Sequence, residues 1–111
     1  MHTIFGIPNC DTVKKTLDWF KENQVPYIFH DYKKEGIALS KLESWLAQQP
    51  VEVLVNRAGT TFKALNDAQK ASVQDPEKAT QLMQEFTSII KRPIIEKDEK
   101  IVKVGWKPAS L

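Results

Sequence analysis

TIFGIPNCDTVKKTLDWFKENQVPYIFHDY, residues 3–32, is the stretch that decides the fold. Thr3-Ile4-Phe5-Gly6-Ile7 is short, apolar and β-branched, and Pro8 ends it, so it reads as a buried strand. From Asp11 to Asn23 the apolar positions Val13, Leu17 and Phe20 recur at i, i+4, i+7, one face of a helix closed by Asn23 and Pro26. Tyr27 to Tyr32 is aromatic-rich and reads as a second strand. Strand, helix, strand in so short a span is a βαβ unit, so these two strands should be parallel with a right-handed crossover.

Working outward, Ser40-Lys41-Leu42-Glu43 has the pattern of a capping box, with Leu42, Trp45 and Leu46 at helical spacing after it. Asp75-Pro76 marks another start, Asp as N-cap and Pro at the first helical position, with Ala79, Leu82, Met83 and Phe86 as the inner face. Val51 to Ala71 between them reads as short helices with a turn at Gly59. Ile89 to Ile95 is an apolar strand interrupted by Lys91, Arg92 and Pro93, so it is either an edge or a strand that begins at the proline. Ile101 to Gly105 is the last strand, and Glu96 to Lys100 reads as the hairpin turn before it. The expected fold class is α/β: βαβ, a helical insertion over about 40–88, then ββ, giving a mixed four-stranded sheet flanked by helices.

The chain has 111 residues, the size of one domain, so a single domain over 1–111 is expected. Apolar residues make up 41% and charged residues 27%, which excludes a disordered chain and a coiled coil. The net charge of +2 is no nucleic-acid footprint. One cysteine excludes an internal disulfide, and Cys10 with His2 and His30 is too small a set for a structural zinc site, so no metal is expected. The N-terminus lacks the pattern of a signal peptide, and the apolar runs are too short to span a membrane. A cytoplasmic monomer with a free thiol is the expectation.

Cys10 falls where the first strand hands over to the first helix. Unpaired backbone N–H groups and the helix dipole at such a place favour a negative charge, and a thiol there should react as thiolate. Lys14 and Lys15 would add to this and Asp11 would oppose it; the alternative is a buried cysteine packing as a small hydrophobe. The basic residues are 14 Lys and only two Arg, so Arg57 and Arg92 each need a reason. Arg92-Pro93 is either a cis proline placed for geometry or a trans proline on an edge with the arginine in solvent. Asn56 to Lys63 gathers Arg57, Gly59, two threonines and Lys63, which suits an oxyanion or carboxylate, or else a polar turn before a helix. His30 and Asp31 are neighbours on a strand and point to opposite faces, so they form no dyad and His30 reads as structural.

GIPNCDTVKKTLDWF, FHDYKKEGI, NRAGTTFKAL, IIKRPII and VKVGWKP, in this order over nearly the whole chain, resemble the arsenate-reductase-like family, the ArsC, Spx and YffB-type proteins. The likeness is nearest to the YffB-type branch, through HDY and NRAGTT. The resemblance implies a thioredoxin-like fold, Cys10 as nucleophile, and Arg92 before a cis Pro93 facing the thiolate. It further implies substrate or glutathione contacts at Asn9, Asp11, Thr12, Arg57, Lys63, Pro93 and Lys107. Lys63 and Lys107 stand where arsenate reductases proper resemble this chain but carry arginines, and lysine lacks the bidentate fork, so arsenate should bind weakly. Val13 stands where Spx regulators have a second cysteine, so no internal disulfide switch is possible. Relatives often run on into a final helix, for which only Lys107 to Leu111 remains.

The expected activity is a glutathione-dependent thiol reductase using one cysteine. It would hold no bound cofactor and would take glutathione or a small disulfide as co-substrate, with glutaredoxin as a further partner. A monothiol enzyme needs an external thiol to resolve its mixed disulfide. Pro93 would present backbone to an extended tripeptide, with Arg57 and Lys63 on its carboxylates. The alternatives are an Spx-like RNA-polymerase-binding module without a redox switch, and an arsenate reductase.

Overall fold

The computed structural model describes residues 1–106. The chain forms two compact units, residues 1–35 with 92 onward, and residues 36–91.

The first unit holds the sheet. Strand β1 (His2–Gly6) is followed by helix α1 (Asp11–Glu22), strand β2 (Tyr27–Asp31) and a short helix α2 (Tyr32–Glu35). After the second unit come β3 (Ile94–Lys97) and β4 (Lys100–Val104). The strand order is β2-β1-β3-β4. Strands β1 and β2 run parallel, with Gly6 opposite Asp31, and β3 lies antiparallel to β1 with Ile94 opposite Phe5. The expected mixed four-stranded sheet and its parallel βαβ start are therefore present. Strand alternation gives the sheet two faces. On one, Ile4 and Ile95 meet Phe20 of α1, with Leu17, Trp19, Val25, Tyr27, Phe29 and Trp106 packed around them. The register sends Thr3, Phe5, His30, Ile94 and Glu96 to the other.

Gly6 sets how closely α1 approaches. A Cβ on Gly6 would lie 2.7 Å from Cγ2 of Val13, in the first turn of α1. Glycine at this position leaves room for the Val13 side chain that a Cβ would press on.

The second unit is helical: α3 (Leu39–Gln48), α4 (Val51–Leu54), α5 (Thr60–Lys63), α6 (Asp67–Ser72), α7 (Pro76–Glu85) and a 3-10 turn (Thr87–Ile89). Helices α3 and α7 pack together, burying Leu42 and Trp45 from one and Ala79, Leu82 and Met83 from the other. Gln84 Nε2 donates to the Ile37 carbonyl across this pair at 3.0 Å. An antiparallel bridge joins Val55 to Ile90, with Asn56 N donating to Ile89 O and Lys91 N to Leu54 O, both at 2.8 Å.

Three expectations need correction. Ser40 does not cap α3: the N-cap is Ala38, whose carbonyl accepts from Lys41 N and Leu42 N, and no side chain caps the helix. The capping box is instead at α6, where Asn66 and Gln69 exchange bonds of 2.7 and 2.9 Å. Ile89 to Ile95 is not one strand, because the 3-10 turn and the bridge at Ile90 consume its first part. The strand begins after Pro93, and it lies between β1 and β4 rather than at an edge. Glu96 belongs to β3 and is buried, so the turn is only Asp98-Glu99, both at positive φ as a two-residue hairpin requires. Asp75 does cap α7, accepting from Glu77 N at 3.0 Å, with Pro76 at the first position.

Candidate functional site at the thiol end of the sheet

Strand β1 delivers the chain to Pro8-Asn9-Cys10, and α1 starts at Asp11. Cys10 is the N-cap of α1, in extended conformation with φ −143° and ψ 123°. Its carbonyl accepts from Lys14 N at 2.9 Å, closing the first helical turn. Its side chain makes no capping hydrogen bond, and the free thiol is partly exposed. The first-turn amides of a helix have no intrahelical acceptors, so they are donors at the thiol's own position. Asn9 and Asp11 are exposed on either side and Thr12 is half-buried. Thr16 Oγ1 donates to the Thr12 carbonyl at 2.8 Å, so Thr12 helps fix the first turn.

Arg92 and Pro93 enter the same end of the sheet. Ile94 is opposite Phe5, so the residues before Ile94 and those after Phe5 leave β3 and β1 together. The Arg92–Pro93 peptide bond is cis. The Pro93 carbonyl accepts from Gly105 N at 2.7 Å, so it is already engaged within the protein. Arg92 is half-buried, and its backbone enters none of the hydrogen bonds among the described residues. The arrangement thus brings to one sheet end a thiol on a helix N-terminus and an arginine whose peptide groups pair with no backbone group among the described residues.

Tyr32 leaves that end as well, since it follows Asp31, the partner of Gly6. Burial holds its phenol well above the usual tyrosine range, partly opposed by the positive charge of Arg92 and reinforced by Glu96. The sequence marks it only as the last residue of the HDY segment and gives it no site role, because an aromatic at a strand end reads simply as core. His30 packs against Phe5 in a tilted pair, with ring centroids 4.8 Å apart. Asp31 Oδ1 accepts from Lys33 N at 2.9 Å and starts α2, and Glu35 Oε2 accepts from Asp31 N at 3.1 Å. Both residues shape the end of β2.

Arg57 and Lys63 belong to the second unit, and both are exposed. Arg57 follows Asn56, whose side chain accepts from Ala58 N at 3.2 Å, and Lys63 closes α5. Lys107 lies outside the described residues. Among the described residues no group of His, Cys, Asp and Glu could hold a metal ion, and no helix is long and apolar enough to cross a membrane.

A mixed four-stranded sheet whose first βα turn carries a cysteine, with a cis proline entering the same end, defines a thioredoxin-like protein with one cysteine. The chain belongs to the ArsC family, whose model matches residues 5–111. It is similar to the solved YffB protein, at 44% identity and a TM-score of 0.89, over 97% of this chain and 93% of that one. An arsenate reductase (ArsC) related protein from Brucella melitensis shares 46% identity at a TM-score of 0.78, over 97% and 88% of the two chains. The global transcriptional regulator Spx of Enterococcus faecalis is 27% identical over 109 residues, 96% of this chain and 80% of that protein.

Proposed function

We propose that the protein is a monothiol oxidoreductase whose Cys10 forms and releases mixed disulfides with glutathione. The observation that carries this reading is the place of Cys10: N-cap of a twelve-residue helix, partly exposed, its side chain making no capping hydrogen bond, at the sheet end where Arg92 enters. A helix N-terminus favours the anionic form of a thiol, and the thiolate is the nucleophile. In the first step Cys10 Sγ attacks one sulfur of a glutathione disulfide. The Cys10–glutathione S–S bond forms, the original S–S bond breaks, and the other sulfur leaves as thiolate. No second cysteine exists in the chain, so an external thiol, glutathione or a glutaredoxin, must attack the mixed disulfide and return Cys10 as thiolate. Across the two steps one glutathionyl group passes from the glutathione disulfide to the external thiol: one glutathione leaves as thiolate, and the external thiol ends in a disulfide with the other.

Arg92 would meet the carboxylate of the bound thiol compound, for which its planar fork is suited. The Pro93 carbonyl is taken by Gly105, so pairing with an extended tripeptide would fall to the Arg92 peptide groups. Treatment of the reduced protein with oxidised glutathione should add one glutathionyl group on Cys10, read by intact mass and peptide mapping, and none in Cys10→Ser. The similarity to Spx favours a second reading, a module that binds RNA polymerase. Under it, wild type and Cys10→Ser would capture purified polymerase equally.

A further inference from the structure

Tyr32 is 2% exposed, and its hydroxyl has no hydrogen-bond partner among the described residues. Its ring stacks on Phe5 with centroids 6.3 Å apart and meets His30 edge-on at 6.2 Å. A buried hydroxyl left unpaired is costly, and phenylalanine would fill the same space without that cost. Tyr32 therefore calls for a state in which its oxygen is used. Arg92 enters the same sheet end and its charge acts on the phenol, as does that of the buried Glu96. A guanidinium carries only donors and a phenol oxygen accepts, so the two are complementary. A half-buried guanidinium can keep water on its free N–H groups, but a ligand that covers it strips that water and leaves N–H groups needing protein acceptors.

We infer that Tyr32 is a positioning residue for Arg92: when an anionic thiol compound occupies the Cys10 end of the sheet, the phenol oxygen accepts a guanidinium N–H and fixes the fork on the ligand. This deepens the reading of Arg92 given above and rests on it. The test compares rates of mixed-disulfide formation at Cys10 with oxidised glutathione, which is anionic, and with hydroxyethyl disulfide, which is neutral. Tyr32→Phe should melt at or above the wild-type temperature, because the free protein loses no hydrogen bond. The ratio of the anionic to the neutral rate should fall by about tenfold to a hundredfold, the scale of one hydrogen bond to a charged group. In an Arg92→Ala background the same substitution should leave the ratio where Arg92→Ala put it. A lower melting temperature or failure to fold in Tyr32→Phe would mean the hydroxyl is partnered in the free state, and would overturn the inference. So would an unchanged ratio in Tyr32→Phe when Arg92→Ala lowers it. An unchanged ratio in Arg92→Ala itself would instead remove Arg92 as the anion contact, and the inference with it.

Discussion

Replacing Gly6 by alanine tests whether the start of α1, and so the position of Cys10, is set by the close approach of helix to strand. The new Cβ would stand 2.7 Å from Val13 Cγ2, with Cγ1 at 3.5 Å. Val13 is fully buried, so its methyls have no open space to turn into. Overpacking of this kind costs about 1–3 kcal/mol. At about 4 °C per kcal/mol for a domain of this size, the melting temperature should fall by about 4–12 °C. Val13→Ala alone removes two buried methyl groups and should cost about 1.5–3 kcal/mol. Together the two changes should be non-additive, because the trimmed side chain vacates the volume that the new Cβ would need. The double variant should be more stable than the sum of the singles by about 1 kcal/mol or more. Urea denaturation of the four proteins measures this cycle. In Gly6→Ala the rate of Cys10 alkylation should change as well, since Cys10 lies three residues before Val13. Strict additivity, or a Gly6→Ala protein as stable as the parent, would refute the reasoning.

Further outcomes follow from the same contacts. Asp75→Ala should cost about 1 kcal/mol by loss of the α7 cap, whereas Ser40→Ala, inside α3 and capping nothing, should stay within about 0.5 kcal/mol; thermal melts compare them. Tyr32 should resist alkaline titration. Its folded-state value is raised above the unfolded value of about 10, so its contribution to stability is complete below that pH and is lost as pH rises further. In a Tyr27→Phe variant, tyrosinate absorbance should therefore grow in together with the loss of helical circular dichroism; a tyrosinate signal in the folded protein would contradict the burial of the phenol.

The βαβ start was legible because local spacing and tertiary packing agree there: Val13 and Phe20 are both the helical stripe and the buried residues of α1. Asp75-Pro76 was legible for the same reason, since its cap chemistry is local. Ser40 misled because a capping pattern says nothing about a helix that can start two residues earlier on backbone bonds alone, as α3 does from Ala38. Glu96 was placed in a turn because a carboxylate in a charged run reads as solvated, whereas its register opposite Thr3 buries it. The place of Cys10 at the strand-to-helix junction could be read from the spacing. The cis state of Pro93 stood as one of two options. Tyr32 was hidden because its importance lies in an unpaired hydroxyl, a property that only the packed structure has.

Cys10 is proposed as an accessible nucleophile at the sheet end where Arg92 enters. Intact-mass kinetics with oxidised glutathione test it most directly. One glutathionyl adduct is expected, confined to Cys10, removed by added glutathione or glutaredoxin, and formed more slowly in Arg92→Ala. A chain that stays unmodified at neutral pH while a neutral alkylating agent still reaches Cys10 would contradict it.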